Sequence, residues 1–217
     1  MKKYIKLCGI NDIEILKGIL SSEYKPDFLG FIFYEPSSRS VSLDLAEELS
    51  NLISGDVKKV AVTVNASDDE LSKIVNSLRP DYIQLHGDES PKRISEVRAK
   101  FGLPIIKAAS ISEDADLKTL EQYQGLVDYL LFDTKTKDYG GSGKSFDWGI
   151  LEKLDIDRPY FLSGGLNIDN LPDATSQTNA NYFDLSSGIE LQKGVKDPKK
   201  IAEILDYFKG LNEKADT

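Results

Sequence analysis

The chemistry open to this chain is narrowed by its scarce reactive side chains: Cys8 is the only cysteine and His86 the only histidine. Cys8 ends a short apolar run, Tyr4–Cys8, and is followed by Gly9. A thiolate there is a base or a nucleophile; a buried cysteine that merely packs is the alternative. Asp133 closes the run "YLLF". A carboxylate ending a buried run is costly unless paired or functional. Partial burial would raise its pKa and let it hold a proton, as a general acid must; otherwise it is a cap or loop anchor. Arg39, in "YEPSSRSVS", carries a guanidinium that can grip a carboxylate through two parallel hydrogen bonds, although a loop arginine is commonly a solvated surface residue. His86, in "QLHG", is as a lone histidine more often structural, but it too follows an apolar run. One histidine and one cysteine make no zinc cluster, and a Cys–His hydrolase pair lacks an orienting third group in any recognisable context.

Three glycine clusters follow other apolar runs: "YGGSG" with Gly140, Gly141, Ser142 and Gly143; "SGG" with Gly164 and Gly165; and "SSG" with Ser186, Ser187 and Gly188. Glycine lets backbone N–H groups approach an anion closely. One such turn is weak evidence, but two on successive strand ends point to a phosphate. "GGSGKS" ends like a Walker loop, yet its glycines are too close together, and no dinucleotide-binding fingerprint is present. Phe146 and Trp148 read as hydrophobic anchors where the first glycine loop rejoins a helix.

These residues need elements to carry them. Strands are expected at Tyr4–Cys8, Phe28–Phe33, Lys58–Val64, Tyr82–Leu85, Pro104–Ala108, Tyr129–Asp133, Tyr160–Ser163 and Tyr182–Leu185, all short and apolar as buried parallel strands are. Helices are expected between them: after Ser42, with Leu43, Ala46, Leu49 and Ile53 on one face; after Ser67, with Glu70 at capping-box spacing; after Ser90 and Asp197, each followed by proline at the first helical position; and, more weakly, after Ile10, Ser112 and Asn167. The segment Asp147–Leu154 is short. Eight βα units argue for one α/β domain over 1–217, a single (β/α)8 TIM barrel; an open doubly wound sheet, usually of about five or six strands, is the alternative. In such barrels the site lies at the C-terminal strand ends, where every residue singled out above falls.

Composition fits. A chain of 217 residues can bury roughly 70% of its unfolded surface without disulfide or metal. Its net charge of −9 disfavours nucleic acid and anionic membrane as partners but leaves a small phosphorylated molecule open. One cysteine fits a reducing cytoplasm. The start, "MKKYIKLCGI", is no signal peptide, and no apolar stretch approaches the ~18 residues of a membrane span. A monomer and a homodimer both suit the fold.

The segments "KLCGI", "GFIFYEPSSRSVS", "VTVN", "IQLHGDE", "LLFDT", "GGSGKSFDW", "LSGGL", "FDLSSGIE" and "KGVKD", in this order almost end to end, resemble the phosphoribosylanthranilate isomerase family. The resemblance implies an Amadori rearrangement of N-(5′-phosphoribosyl)anthranilate in tryptophan biosynthesis, without metal or cofactor. It implies Asp133 as general acid at the ring oxygen, Cys8 as general base at C2′, and Arg39 holding the anthranilate carboxylate. Gly164, Gly165, Ser186, Ser187 and Gly188 would cradle the phosphate. Asp184 and His86 would lie near the substrate, and the loop with Gly140–Gly143 would cover it. Two positions depart: Ser38 stands where the family usually has proline, which is expected to loosen the loop presenting Arg39, and Thr63 replaces an aliphatic or aromatic residue. Another phosphate-binding sugar isomerase or epimerase, and a catalytically inactive phosphate-binding barrel, are the competing readings; the two-substrate isomerases carry aspartate where Cys8 stands.

Overall fold

The computed structural model describes residues 1–111, 120–123, 125–134, 148–153 and 158–215, with backbone alone at 111, 121, 134, 150, 152 and 153. Eight parallel strands close into a barrel in chain order: β1 (Tyr4–Cys8), β2 (Phe28–Phe33), β3 (Lys58–Thr63), β4 (Tyr82–Leu85), β5 (Ile105–Ile111), β6 (Tyr129–Thr134), β7 (Tyr160–Leu162) and β8 (Tyr182–Leu185). β1, β2, β4 and β8 have the expected bounds. β5 runs beyond Ala108 because Ser110 and Ile111 pair with Asp133 and Thr134; the polar serine ended the apolar run but not the hydrogen-bond ladder.

Helices α1 (Ile13–Ser21), α2 (Leu43–Leu52), α3 (Asp68–Leu78), α4 (Pro91–Phe101), α5 (Leu171–Gln177) and α6 (Pro198–Ala215) lie between and after the strands. Ser42, Ser67 and Ser90 cap α2, α3 and α4 as expected, the second through a complete capping box with Glu70. α1 is capped by Asp12. α5 starts later than Asn167 because Asn167 Oδ1 takes the N–H groups of Asp169 and Asn170 in a turn of its own. Trp148–Lys153 is a 3-10 helix, against whose neighbours Trp148 packs as expected. The helix expected after Ser112 lies outside the described residues. A hairpin that sequence patterning does not show, β9 (Glu190–Gln192) with β10 (Val195–Lys196), follows β8.

Alternation along each strand sends odd positions of β1 (Ile5, Leu7) to the helices and even ones (Tyr4, Lys6, Cys8) inward. At the N-terminal end of the barrel, four rings from alternate strands close a circle: Phe28–Tyr82 at 5.6 Å, Tyr82–Tyr129 at 5.9 Å, Tyr129–Tyr182 at 5.1 Å and Tyr182–Phe28 at 6.2 Å. Phe161 sits against three of them, at 5.1–5.3 Å. This aromatic floor makes the barrel a packed core rather than a pore.

The same strands share a second device. Asp27, Asp81 and Asp128, each directly preceding a floor aromatic, accept the backbone N–H of Ile5, Lys59 and Ile105 on the preceding strand at 2.8–2.9 Å. The dipeptides Asp27–Phe28, Asp81–Tyr82 and Asp128–Tyr129 thus tie one strand to the next and floor the barrel, while Asn181–Tyr182 repeats the pattern with its carbonyl accepting from Tyr4 N. The register so set brings the C-terminal ends of all eight strands to one rim.

Candidate active site

Above the floor, polar side chains join the apolar ones of the barrel interior. Lys6, Gln84 and Asp184 are buried, at 0%, 1% and 5% exposure, and Cys8 lies beyond them. One pocket at the C-terminal rim is lined by Cys8, Arg39, His86, Asp133, Ser163, Asp184 and Ser186, with Ile32, Val62 and Val64 supplying an apolar wall. Residues read separately along the sequence therefore meet in a single cavity.

Cys8 is 5% exposed. Burial pushes its thiol above the ordinary value, against the pull of Lys6 and Lys196; Asp184 pushes it further up. Its neighbour Gly9 adopts φ +77°, open to glycine at little cost. A Cβ there would meet Arg39 Cδ at 2.9 Å, so Gly9 also makes room for the arginine to cross into the pocket.

Arg39 is no solvated surface residue: it is 4% exposed. Its Nε and Nη2 donate to the two oxygens of Glu190 at 2.6 and 2.8 Å, a fork-to-fork pair. Lys196 Nζ donates to Glu190 Oε1 and to the Ser186 carbonyl, both at 3.0 Å. Burial pushes the Glu190 carboxyl up, but the Arg39 hydrogen bonds and the Lys196 charge outweigh it and hold the carboxyl below its ordinary range. Burial lowers Lys196. The β9–β10 hairpin thus anchors the guanidinium from one side. The loop around Ser38 is tied down as well: Arg39 N donates to Ser37 Oγ, Ser40 N to Ser37 O and Val41 N to Ile32 O. These bonds are the contacts that hold the loop presenting Arg39.

His86 Nδ1 lies 2.9 Å from Gln84 Nε2. The imidazole Nε2 faces Asp133 Oδ2 at 3.6 Å. The loop bearing His86 is fixed from outside the barrel by the buried Lys107–Glu89 pair, at 3.1 Å. Lys107 also donates to the Gly87 carbonyl, and Glu89 accepts the N–H of Asn65 and of Gly87.

The two later glycine turns stand side by side. Gly164 and Gly165 adopt φ +90° and +68°, and a Cβ on Gly188 would overlap the Leu166 carbonyl. The loops after β7 and β8 therefore pack backbone to backbone, with Ser163 and Ser186 facing the pocket. Gly140, Gly141, Ser142 and Gly143 lie outside the described residues.

Lys6, Gln84, Glu190 and Lys196 escaped the sequence reading. A lysine and a glutamine interrupting apolar strands at inward positions, two residues before Cys8 and His86, are a signal that was available. The pairing of Glu190 with Arg39 spans 151 positions and leaves no local trace.

Similarity to known proteins runs along nearly the whole chain. A family model described as N-(5'phosphoribosyl)anthranilate (PRA) isomerase matches residues 5–207. A Rhizobium rhizogenes protein named N-(5'-phosphoribosyl)anthranilate isomerase is 45% identical over 210 residues, covering 95% of this chain and 94% of that one. The crystal structure of phosphoribosyl anthranilate isomerase from Thermotoga maritima superposes with a TM-score of 0.85 at 32% identity, covering 97% of this chain and 100% of that one. A structure of the isomerase in complex with reduced 1-(o-carboxyphenylamino)-1-deoxyribulose 5-phosphate has a TM-score of 0.83 at 29% identity, covering 97% of this chain and 100% of that one. With barrel, rim pocket and near full-length similarity in accord, the chain belongs to the N-(5'-phosphoribosyl)anthranilate isomerase family, enzymes of tryptophan biosynthesis.

Proposed function

We propose that this chain, as one catalytic domain over 1–217 working in the cytoplasm, converts N-(5′-phosphoribosyl)anthranilate to 1-(o-carboxyphenylamino)-1-deoxyribulose 5-phosphate. The observation that carries the reading is the single pocket holding Cys8, Asp133 and Arg39 beside the paired glycine turns. The rearrangement needs an acid to open a ring acetal and a base to take a proton from carbon, and this pocket supplies one of each in different side-chain chemistries.

Asp133 gives its proton to the furanose oxygen as the C1′–O bond breaks, and the anilino nitrogen's lone pair forms the C1′=N bond of a protonated Schiff base. His86 Nε2 beside it orients the carboxyl. The Cys8 thiolate then removes the proton from C2′; the C–H electrons form C1′=C2′, and the C1′=N pair returns to nitrogen. The enolamine that results tautomerises to the ketone. The substrate nitrogen is the electron sink. Arg39 holds the anthranilate carboxylate with the guanidinium edge that Glu190 leaves free. Backbone N–H groups of Gly164, Gly165, Ser186, Ser187 and Gly188 receive the phosphate, with Lys196 at the Ser186 carbonyl adding a charge of the right sign. Shielding of the Schiff base by the segment carrying Gly140–Gly143 belongs to the same reading. Asp184 stands near the substrate at the edge of the same pocket, its carboxylate held by Lys6, which donates to Oδ1 at 2.9 Å.

The test follows loss of anthranilate-type fluorescence on addition of freshly generated phosphoribosylanthranilate. Wild type should consume it, and Cys8→Ser and Asp133→Asn should each slow turnover by roughly 10²-fold or more. A folded, phosphate-binding wild type without turnover would overturn the proposal.

A further inference from the structure

Lys6 is fully buried inside the barrel, with 0% exposure. An aromatic floor lies beneath it and helices pack outside its strand. A lysine there is tolerated only when partnered, and Asp184 supplies the partner. The Lys6 ammonium donates to Asp184 Oδ1 at 2.9 Å and lies near the sulfur of Cys8, two residues on along the same face of β1. The space for both groups comes from β2. Gly30 pairs with Cys8, and a Cβ on Gly30 would lie 2.8 Å from Cys8 Sγ and 3.1 Å from Lys6 Nζ. A side chain at position 30 would wedge into the gap that ammonium and sulfur share.

We propose that Lys6 is a positioning residue for catalysis: held by Asp184, its ammonium is the resident counter-ion that keeps Cys8 available as a thiolate. The inference rests on the reading of Cys8 as the base. The charged groups around the sulfur come from several elements: Lys6 on β1, Asp184 on β8, Lys196 on β10 with its partner Glu190 on β9, and Arg39 in the loop after β2, with His86 and Asp133 across the pocket. Lys196 and Arg39 share the Glu190 carboxylate, and Lys6 is paired with Asp184. Lys6 borders the same gap over Gly30 as the sulfur. Burial pushes the Cys8 thiol up, and Lys6 is the foremost group drawing it back. Asp184 has two opposed effects: its charge disfavours a thiolate, yet without it the ammonium would not be held in place.

Because Cys8 is the only cysteine, alkylation by iodoacetamide, followed by intact mass, reports this thiol alone and needs no turnover. The midpoint of rate against pH measures thiolate formation, whereas a change in access scales the rate at every pH. Lys6→Met should raise the midpoint by about one to three pH units, the size expected of a nearby opposite charge. The charge-neutral pair Lys6→Met with Asp184→Asn leaves no unpaired buried ion, so it tests the idea even where Lys6→Met alone does not fold; its midpoint should also lie above that of wild type. A midpoint unchanged in folded Lys6→Met or in the double variant overturns the inference and leaves Lys6 as a structural partner of Asp184. A raised midpoint with isomerisation near neutral pH undiminished upholds Lys6 and instead overturns the assignment of Cys8 as base.

Discussion

Replacing Glu190 by glutamine keeps the side-chain volume and removes one charge from a buried cluster. In the native protein both oxygens of Glu190 are engaged: Oε2 by Arg39 Nη2 at 2.8 Å, and Oε1 by Arg39 Nε at 2.6 Å and by Lys196 Nζ at 3.0 Å. Glutamine retains one acceptor, and its amide nitrogen must face a cation. One charge-assisted hydrogen bond, worth about 1.5–3 kcal/mol, is lost, and two buried cations are left sharing a neutral group. Complete removal of a buried partner costs about 3–5 kcal/mol, so Glu190→Gln should destabilise folding by about 2–4 kcal/mol. The functional consequence is sharper. Freed of its fork, the guanidinium no longer presents a fixed edge to the anthranilate carboxylate. KM should rise by roughly 10- to 100-fold while kcat changes little, the signature of lost ground-state binding. The control is the phosphoribosyl adduct of aniline, which lacks the carboxylate: for it, wild type and variant should have the same KM. Steady-state fluorescence kinetics with both substrates, alongside urea unfolding, measure all three quantities. Equal losses for both substrates, or an unchanged KM for the carboxylated one in a folded variant, would refute the view that Glu190 works by aiming Arg39.

Other consequences are open to direct measurement. Since the Glu190 carboxyl is held below its ordinary value of 4.5, its stabilisation is complete above that pH and is lost as pH falls through the lower folded-state value; the stability gap between wild type and Glu190→Gln should stay constant above pH 4.5 and shrink below it. Gly188→Ala should weaken inhibition by inorganic phosphate and lower the unfolding temperature, because the added Cβ overlaps the Leu166 carbonyl; inhibition equal to wild type would argue against the paired turns as the phosphate site. Phe161→Ala, at the centre of the aromatic floor with 0% exposure, should cost about 3–5 kcal/mol in urea unfolding and leave KM unaltered, and a cost under about 1 kcal/mol would show that the floor is not tightly packed.

Much of this protein is legible along the chain because its barrel is built from local units. Strand and helix alternate with short-range signals: the serine caps of α2, α3 and α4, the apolar runs of β1, β2, β4 and β8, the glycine turns after β7 and β8. Once eight such units are counted, right-handed βα crossovers bring all strand ends to one rim, so Cys8, His86 and Asp133 must share a face. The limits were equally physical. Ser110 hid the end of β5 because ladder pairing with β6, not side-chain polarity, decides where a strand stops. The β9–β10 hairpin is too short to show a period of its own.

Only the closed tertiary structure decided the electrostatics of the site. Sequence places Lys6 in an apolar strand and Arg39 in a polar loop; it does not say that Lys6 reaches Asp184, 178 positions away, or that Arg39 is buried against Glu190. Those contacts depend on closure of β8 onto β1 and on the hairpin folding back over the loop after β2. The strength of a charge interaction depends on the distance and burial of its partners, and both are properties of the packed barrel. Residue types and spacing determined which groups stand at the rim; the barrel decided which are paired, and so which remain free to act.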